Sequence, residues 1–125
     1  MSYDKNNIFA KILRGEIPCD KVFENEHALA FNDISPQAKV HVLVIPKGSY
    51  IDVEDFSKNA SKDEIVSLMQ AVVEVCKITK LSFSEGGKGF RLVANTGPDG
   101  SQEVPHFHYH VMGGEAMGLR GLRKN

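Results

Sequence analysis

Residues 104–114 read VPHFHYHVMGG and carry three of the five histidines of this 125-residue chain, His106, His108 and His110, at alternate positions. In an extended strand alternate residues share a face, so the three imidazoles line one side while Phe107, Tyr109 and Val111 point to the other. The second set has the character of a core. The expectation is a final strand formed by the histidine run itself, with a row of imidazoles opposite a buried apolar face. One metal held by all three fits poorly. On a straight strand the outer two Cα atoms stand ~13 Å apart, whereas zinc–nitrogen bonds are only ~2.0–2.1 Å long. No carboxylate or cysteine stands at convincing ligand spacing. Imidazole chemistry near neutral pH fits better, one ring serving as a neutral nucleophile while its neighbours donate protons or stabilise negative oxygens.

Just upstream, TGPDGSQE (96–103) is a Gly-rich loop whose small residues and backbone N–H groups suit a phosphate. FRLVAN (90–95) before it reads as a strand. Further back, Ile65, Leu68, Met69, Val72, Val73, Val75 and Cys76 form a broad stripe, predicting a long helix over 61–80. Ser61 with Glu64 gives that helix a capping box. Val40–Ile45 is β-branched and apolar, a strand with His41, Leu43 and Ile45 on one face. Lys21–Glu24 and Ala28–Asn32 pair as a hairpin. Ile8–Arg14 is a short amphipathic helix, capped by Asn6 or Asn7 and ended by Gly15 and Pro18. Together these predict one α+β domain, an antiparallel sheet of about five strands with two helices.

Bulk properties narrow the function. A net charge of −1 and a pI near 6.5 leave no strong field for nucleic acid or an anionic membrane, so neither is expected as a partner. Cys19 and Cys76 form no close-spaced pair and read as reduced thiols. The N-terminal MSYDKNNIFAKILRGEIP lacks the apolar stretch of a signal peptide, so the cytoplasm is the expected compartment.

HFHYHVM (106–112) resembles the signature of the histidine triad (HIT) family, His-φ-His-φ-His-φ-φ with φ apolar, at every position. IFAKILRGEIP (8–18), AFNDISPQAKVHVLVIPK (30–47), RLVANTGPDGSQEVPH (91–106) and GG (113–114) extend the likeness to the Hint branch, in particular bacterial purine nucleoside phosphoramidases. The resemblance implies a HIT domain over 1–112, followed by a Gly-rich basic tail over 113–125 with Arg120, Arg123 and Lys124. It implies a homodimer, with the long helix and last strand at the interface. It implies a hydrolase of purine nucleoside 5′-phosphoramidates, such as AMP-lysine or aminoacyl adenylates, working through a covalent nucleotidyl-histidine.

By position, His108 is the nucleophile, supported by His106, His110 and His41, with Glu103 beside the leaving group. Asp33 and Ile34 meet the ribose, and Asn95, Ser101 and Gln102 meet the phosphate. Phe9, Ile12, Ile17, Phe31 and Leu43 wall the purine, which is adenine or guanine. No cofactor is required, and any zinc would be fortuitous. Glu103 stands where many members carry serine or threonine, and the tail lacks the Trp-Pro-Pro-Gly ending of animal Hint proteins. Those departures leave the leaving group open. His110 argues against the uridylyltransferase branch, which usually has glutamine there. A dinucleoside polyphosphate hydrolase, or a nucleotide-binding scaffold with incidental catalysis, are the alternatives.

Overall fold

The computed structural model describes residues 2–118. Helix α1 (Ile8–Leu13) starts where the Asn7 side chain accepts a hydrogen bond from the Ala10 amide at 2.9 Å, so Asn7 is the cap. Strands β1 (Lys21–Glu24) and β2 (Ala28–Asn32) form the expected hairpin. Its turn is closed by the Asn25 side chain, which accepts from the amides of His27 and Ala28. Strand β3 is Val40–Pro46.

The sequence predicts two helices, and three α-helices are present among the described residues. The additional one, α2 (Val53–Asn59), is capped by Asp52, whose side chain accepts from the Asp55 amide at 2.8 Å. Only Phe56 of this helix is buried, so no apolar period announces it. Helix α3 (Lys62–Ile78) has the predicted Ser61–Glu64 capping box, and a 3-10 turn follows at Phe83–Glu85. Strands β4 (Phe90–Ala94) and β5 (Tyr109–Gly113) complete an antiparallel sheet of order β1-β2-β3-β5-β4.

The last strand is shorter than the histidine run predicts. It begins at Tyr109, leaving His106 and His108 in the approach to it. Pro105 has no N–H to give a ladder. The Phe107 amide is spent on the Tyr50 carbonyl at 2.7 Å, and the His106 carbonyl on the ring of His108. The alternation survives nonetheless: Phe107 and Val111 are buried, and Tyr109 packs against the same cluster.

Both faces of the sheet are covered, each in its own way. On one face Ala28, Ala30, Val42, Val44 and Val111 pack against Leu68, Ala71, Val72 and Val75 of α3 and Phe56 of α2. On the other, Leu29, Phe31, Leu43 and Ile45 pack under Phe9 of α1. That second cluster covers only β2 and the adjoining part of β3. Across β3, β5 and β4 the same face carries His41, His110 and Val93, with Leu43 and Val93 both paired to His110. There the sheet floor opens into a cavity. Among the described residues, no helix is long and apolar enough to cross a membrane. Arg120, Arg123 and Lys124 of the basic tail lie outside the described residues.

Candidate active site

The cavity above β3, β5 and β4 holds about 570 Å³. His41, His108 and His110 line it together with Asp33, Asn95, Ser101, Glu103, Phe9 and Leu43. Residues singled out in the sequence thus come from well-separated segments to one place. Gln102 is adjacent but engaged elsewhere. Its amide donates to the carbonyls of Ile51 (2.7 Å) and Val104 (3.0 Å), stitching the loop to the segment after β3. Ile34 stands 93% exposed beside the cavity. Phe31 lies in the core beneath α1, and Ile12 lines a separate cleft with Leu13, Cys19 and Leu29. Ile17 is half-buried and outside the cavity lining.

Ser35, Gln37, Arg91, Val93, Val104, Met112 and Met117 also line the cavity, and the sequence reading does not single them out. Strand alternation could have marked two of them. Arg91 and Val93 share a face of β4, and Val93 pairs with His110, so Arg91 follows onto the same floor. Arg91 also donates to the Gly118 carbonyl at 2.6 Å.

The hydrogen bonds assign a tautomer to each ring, because several partners can act in one direction only. The Gln37 amide donates to His41 Nδ1 at 2.9 Å, so the ring proton of neutral His41 sits on Nε2. That Nε2–H donates to His110 Nδ1 at 2.8 Å, which places the proton of His110 on its own Nε2. His108 Nδ1 lies 2.7 Å from the His106 carbonyl, an acceptor, so Nδ1 carries the proton and Nε2 keeps its lone pair. His106 Nε2 donates to the Pro46 carbonyl at 2.8 Å. Unlike the others, His106 is completely buried and lies behind the cavity wall, not in its lining.

Burial holds all four rings in the neutral form. Desolvation is the largest influence on each and lowers the pKa from the usual imidazole value, to about 4 for His106 and His110. Asp33 opposes this for His41, His108 and His110, and at 3.5 Å from His41 Nε2 it is the nearest carboxylate. These histidines therefore meet an anion as neutral N–H donors and lone-pair bearers, not as cations.

Asp33, His41 and His110 bring one ligand atom each within 4.8 Å of one another, so a carboxylate does join two histidines in space where sequence spacing showed none. The tautomers work against a cation there. A metal would need the Nε2 lone pair of His41, which bears a proton for as long as the Gln37 amide occupies Nδ1. The cluster has the composition of a metal site and the proton arrangement of a hydrogen-bond relay.

Residues 14–117 match the HIT domain family. A HIT-like protein of Azospirillum brasilense is 54% identical over 117 residues, covering 94% of this chain and 93% of its own length. The solved structure of a HIT family hydrolase from Clostridium thermocellum superimposes with a TM-score of 0.81 at 35% identity, covering 92% of this chain and 96% of that one. A histidine triad protein from Clostridium difficile gives 0.79 at 37% identity, covering 94% and 96%. A histidine triad nucleotide-binding protein from Candida albicans gives 0.74 at 31% identity, covering 85% and 73%. With this match over most of its length and its histidines clustered in the sheet-floor cavity, the chain belongs to the HIT-domain family and carries a hydrolase active site of that family.

Proposed function

We propose that this protein is of the Hint branch and hydrolyses purine nucleoside 5′-phosphoramidates through a nucleotidyl-His108 intermediate. The observation that carries the reading is the 2.7 Å bond from His108 Nδ1 to the His106 carbonyl, which leaves an unprotonated Nε2 in the cavity lining. That nitrogen attacks the α-phosphorus, and the phosphorus–nitrogen bond to the leaving amine breaks. The amine departs with a proton, for which His110 Nε2–H is the nearby donor. Water then attacks phosphorus, its proton returning to His110 Nε2, the bond to His108 Nε2 breaks, and the nucleoside monophosphate leaves. Splitting the displacement into two steps is the usual gain from covalent catalysis.

Asn95 and Ser101 line the phosphate side of the cavity, with Gln102 holding their loop. Ser101 sits at φ 60°, a conformation that costs a non-glycine residue and recurs at functional sites. Asp33 takes the ribose hydroxyls with exposed Ile34 beside it, and Phe9 and Leu43 face the purine with Phe31 and Ile12 packed behind them. Glu103, exposed at the cavity edge, faces the leaving group, and a carboxylate there favours an ammonium-bearing one such as AMP-lysine. The chain works as a cytoplasmic homodimer. Ile65, Val66, Met69 and Val73 form an exposed apolar stripe on α3 that a second copy would cover, whereas β5 lies inside the sheet between β3 and β4.

Turnover of AMP-lysine, adenosine 5′-phosphoramidate and diadenosine tetraphosphate by wild type and His108→Ala tests the reading. Preference for the phosphoramidates is expected, with mass spectrometry finding the nucleotidyl adduct on His108. Faster cleavage of the tetraphosphate would make the protein a polyphosphate hydrolase. Absence of wild-type turnover alongside tight AMP binding would make it a binding protein.

A further inference from the structure

His106 is the one triad residue that cannot meet substrate, since it is fully buried behind the cavity wall. Its ring is nonetheless gripped at both nitrogens. With Nε2–H given to the Pro46 carbonyl, Nδ1 of the neutral ring is a bare acceptor out of reach of water. The Tyr3 hydroxyl meets it at 2.5 Å and must be the donor. The Tyr3 and His106 rings also stand edge to face, 5.6 Å apart at 71°.

The backbone of the same residue has a second role, because its carbonyl is what holds the proton on His108 Nδ1. Residues 104–108 are outside the strand ladder, so no sheet pairing fixes that carbonyl. Two contacts fix it: the Phe107 amide of the same peptide plane donates to the Tyr50 carbonyl at 2.7 Å, and the clamp on the side chain holds the Cα from the other side. Tyr3 arrives at the clamp along an anchored segment. The Asp4 carbonyl accepts from the Asn7 side chain at 2.7 Å, and the Lys5 carbonyl accepts from Arg14 at 2.8 Å. The segment also precedes the part of the chain that matches the family.

We propose that Tyr3 is a positioning residue for the nucleophilic step, its hydroxyl holding His106 so that the His106 carbonyl keeps His108 in its reactive tautomer. The inference rests on His108 being the nucleophile. A residue present only to pack would serve equally well as phenylalanine; here the O–H is the working group.

Tyr3→Phe removes that O–H and keeps the ring. Two measurements decide: kcat and KM for adenosine 5′-phosphoramidate, and the ring-nitrogen chemical shifts of His108 in ¹⁵N-labelled, ligand-free protein. We expect kcat to fall about tenfold with little change in KM, as misplacement of a reacting group does. We also expect His108 Nε2 to move from the shift of an unprotonated nitrogen toward that of mixed tautomers. A melting curve like wild type's shows that the fold is kept. Wild-type kcat in the variant, or unchanged His108 shifts, overturns the proposal. Should wild type itself fail to turn over the phosphoramidate, the substrate reading fails, and the ligand-free spectra still report whether Tyr3 sets the tautomer of His108.

Discussion

His41 and His106 never need to touch substrate, yet each decides where a proton sits on a neighbour. His41 is held at Nδ1 by the Gln37 amide and passes its Nε2 proton toward His110. Replacing His41 with alanine frees His110 to change tautomer, and we expect kcat to fall on the order of 100-fold, the low end of what one acid–base group contributes. Steady-state kinetics against a fixed phosphoramidate would check it. The lowered pKa of His108 has a companion consequence. Its Nε2 stays unprotonated below the ordinary imidazole value of ~6.5, so kcat/KM should be flat from neutrality to beneath that pH before an acid limb appears.

His106 carries a stability effect of definite sign. Its folded pKa is about 4, against ~6.5 in an unfolded chain. Between those values the unfolded state binds more protons, so its contribution is complete above ~6.5, falls as pH drops toward 4 and then levels off. The loss is on the order of 3 kcal/mol for a group this buried. Urea titrations across that window, compared between wild type and His106→Asn, would measure it; parallel pH dependences in the two proteins would remove the assignment.

At the scale of elements, helix ends and one loop tie are the sensitive points. Ser61→Ala removes half of the α3 capping box and should cost about 1 kcal/mol, read as a lower urea midpoint with an unchanged slope. Gln102→Ala breaks two bonds to carbonyls, of Ile51 and Val104, that hold the Gly-rich loop beside the cavity. It should raise KM for the nucleotide more than it lowers kcat, since the loop is loosened while His108 keeps its own partner. The capping box was legible because it is a local pattern, Ser61 and Glu64 three residues apart. Helix α2 was not, because a two-turn helix with one buried residue has almost no period to read.

For the molecule as a whole, Phe107 links the two halves of the design. It sits 2% exposed in the cluster beneath α2 and α3, with Phe56 and Tyr109 at 5.1 and 5.2 Å, while the histidines on either side face the opposite way. Phe107→Ala should cost about 3–5 kcal/mol by chemical denaturation, and activity at a fixed temperature should fall with it.

Among the described residues, the amino-acid sequence alone determined the five strands, two of the three α-helices, the two-faced character of 106–111 and the histidine motif, because period, capping and motif are all local. It did not determine where the last strand begins, since that depends on the distant Tyr50 carbonyl capturing the Phe107 amide. Only the tertiary structure decided which residues share the cavity, bringing Asp33 from beyond β2 and Arg91 from β4 to the histidines. It also decided that burial keeps the four imidazoles neutral. The tautomers of His41 and His108 follow from local bonds to the Gln37 amide and the His106 carbonyl, but those of His110 and His106 follow from bonds to His41, Pro46 and Tyr3 that cross long stretches of chain and leave no trace in spacing.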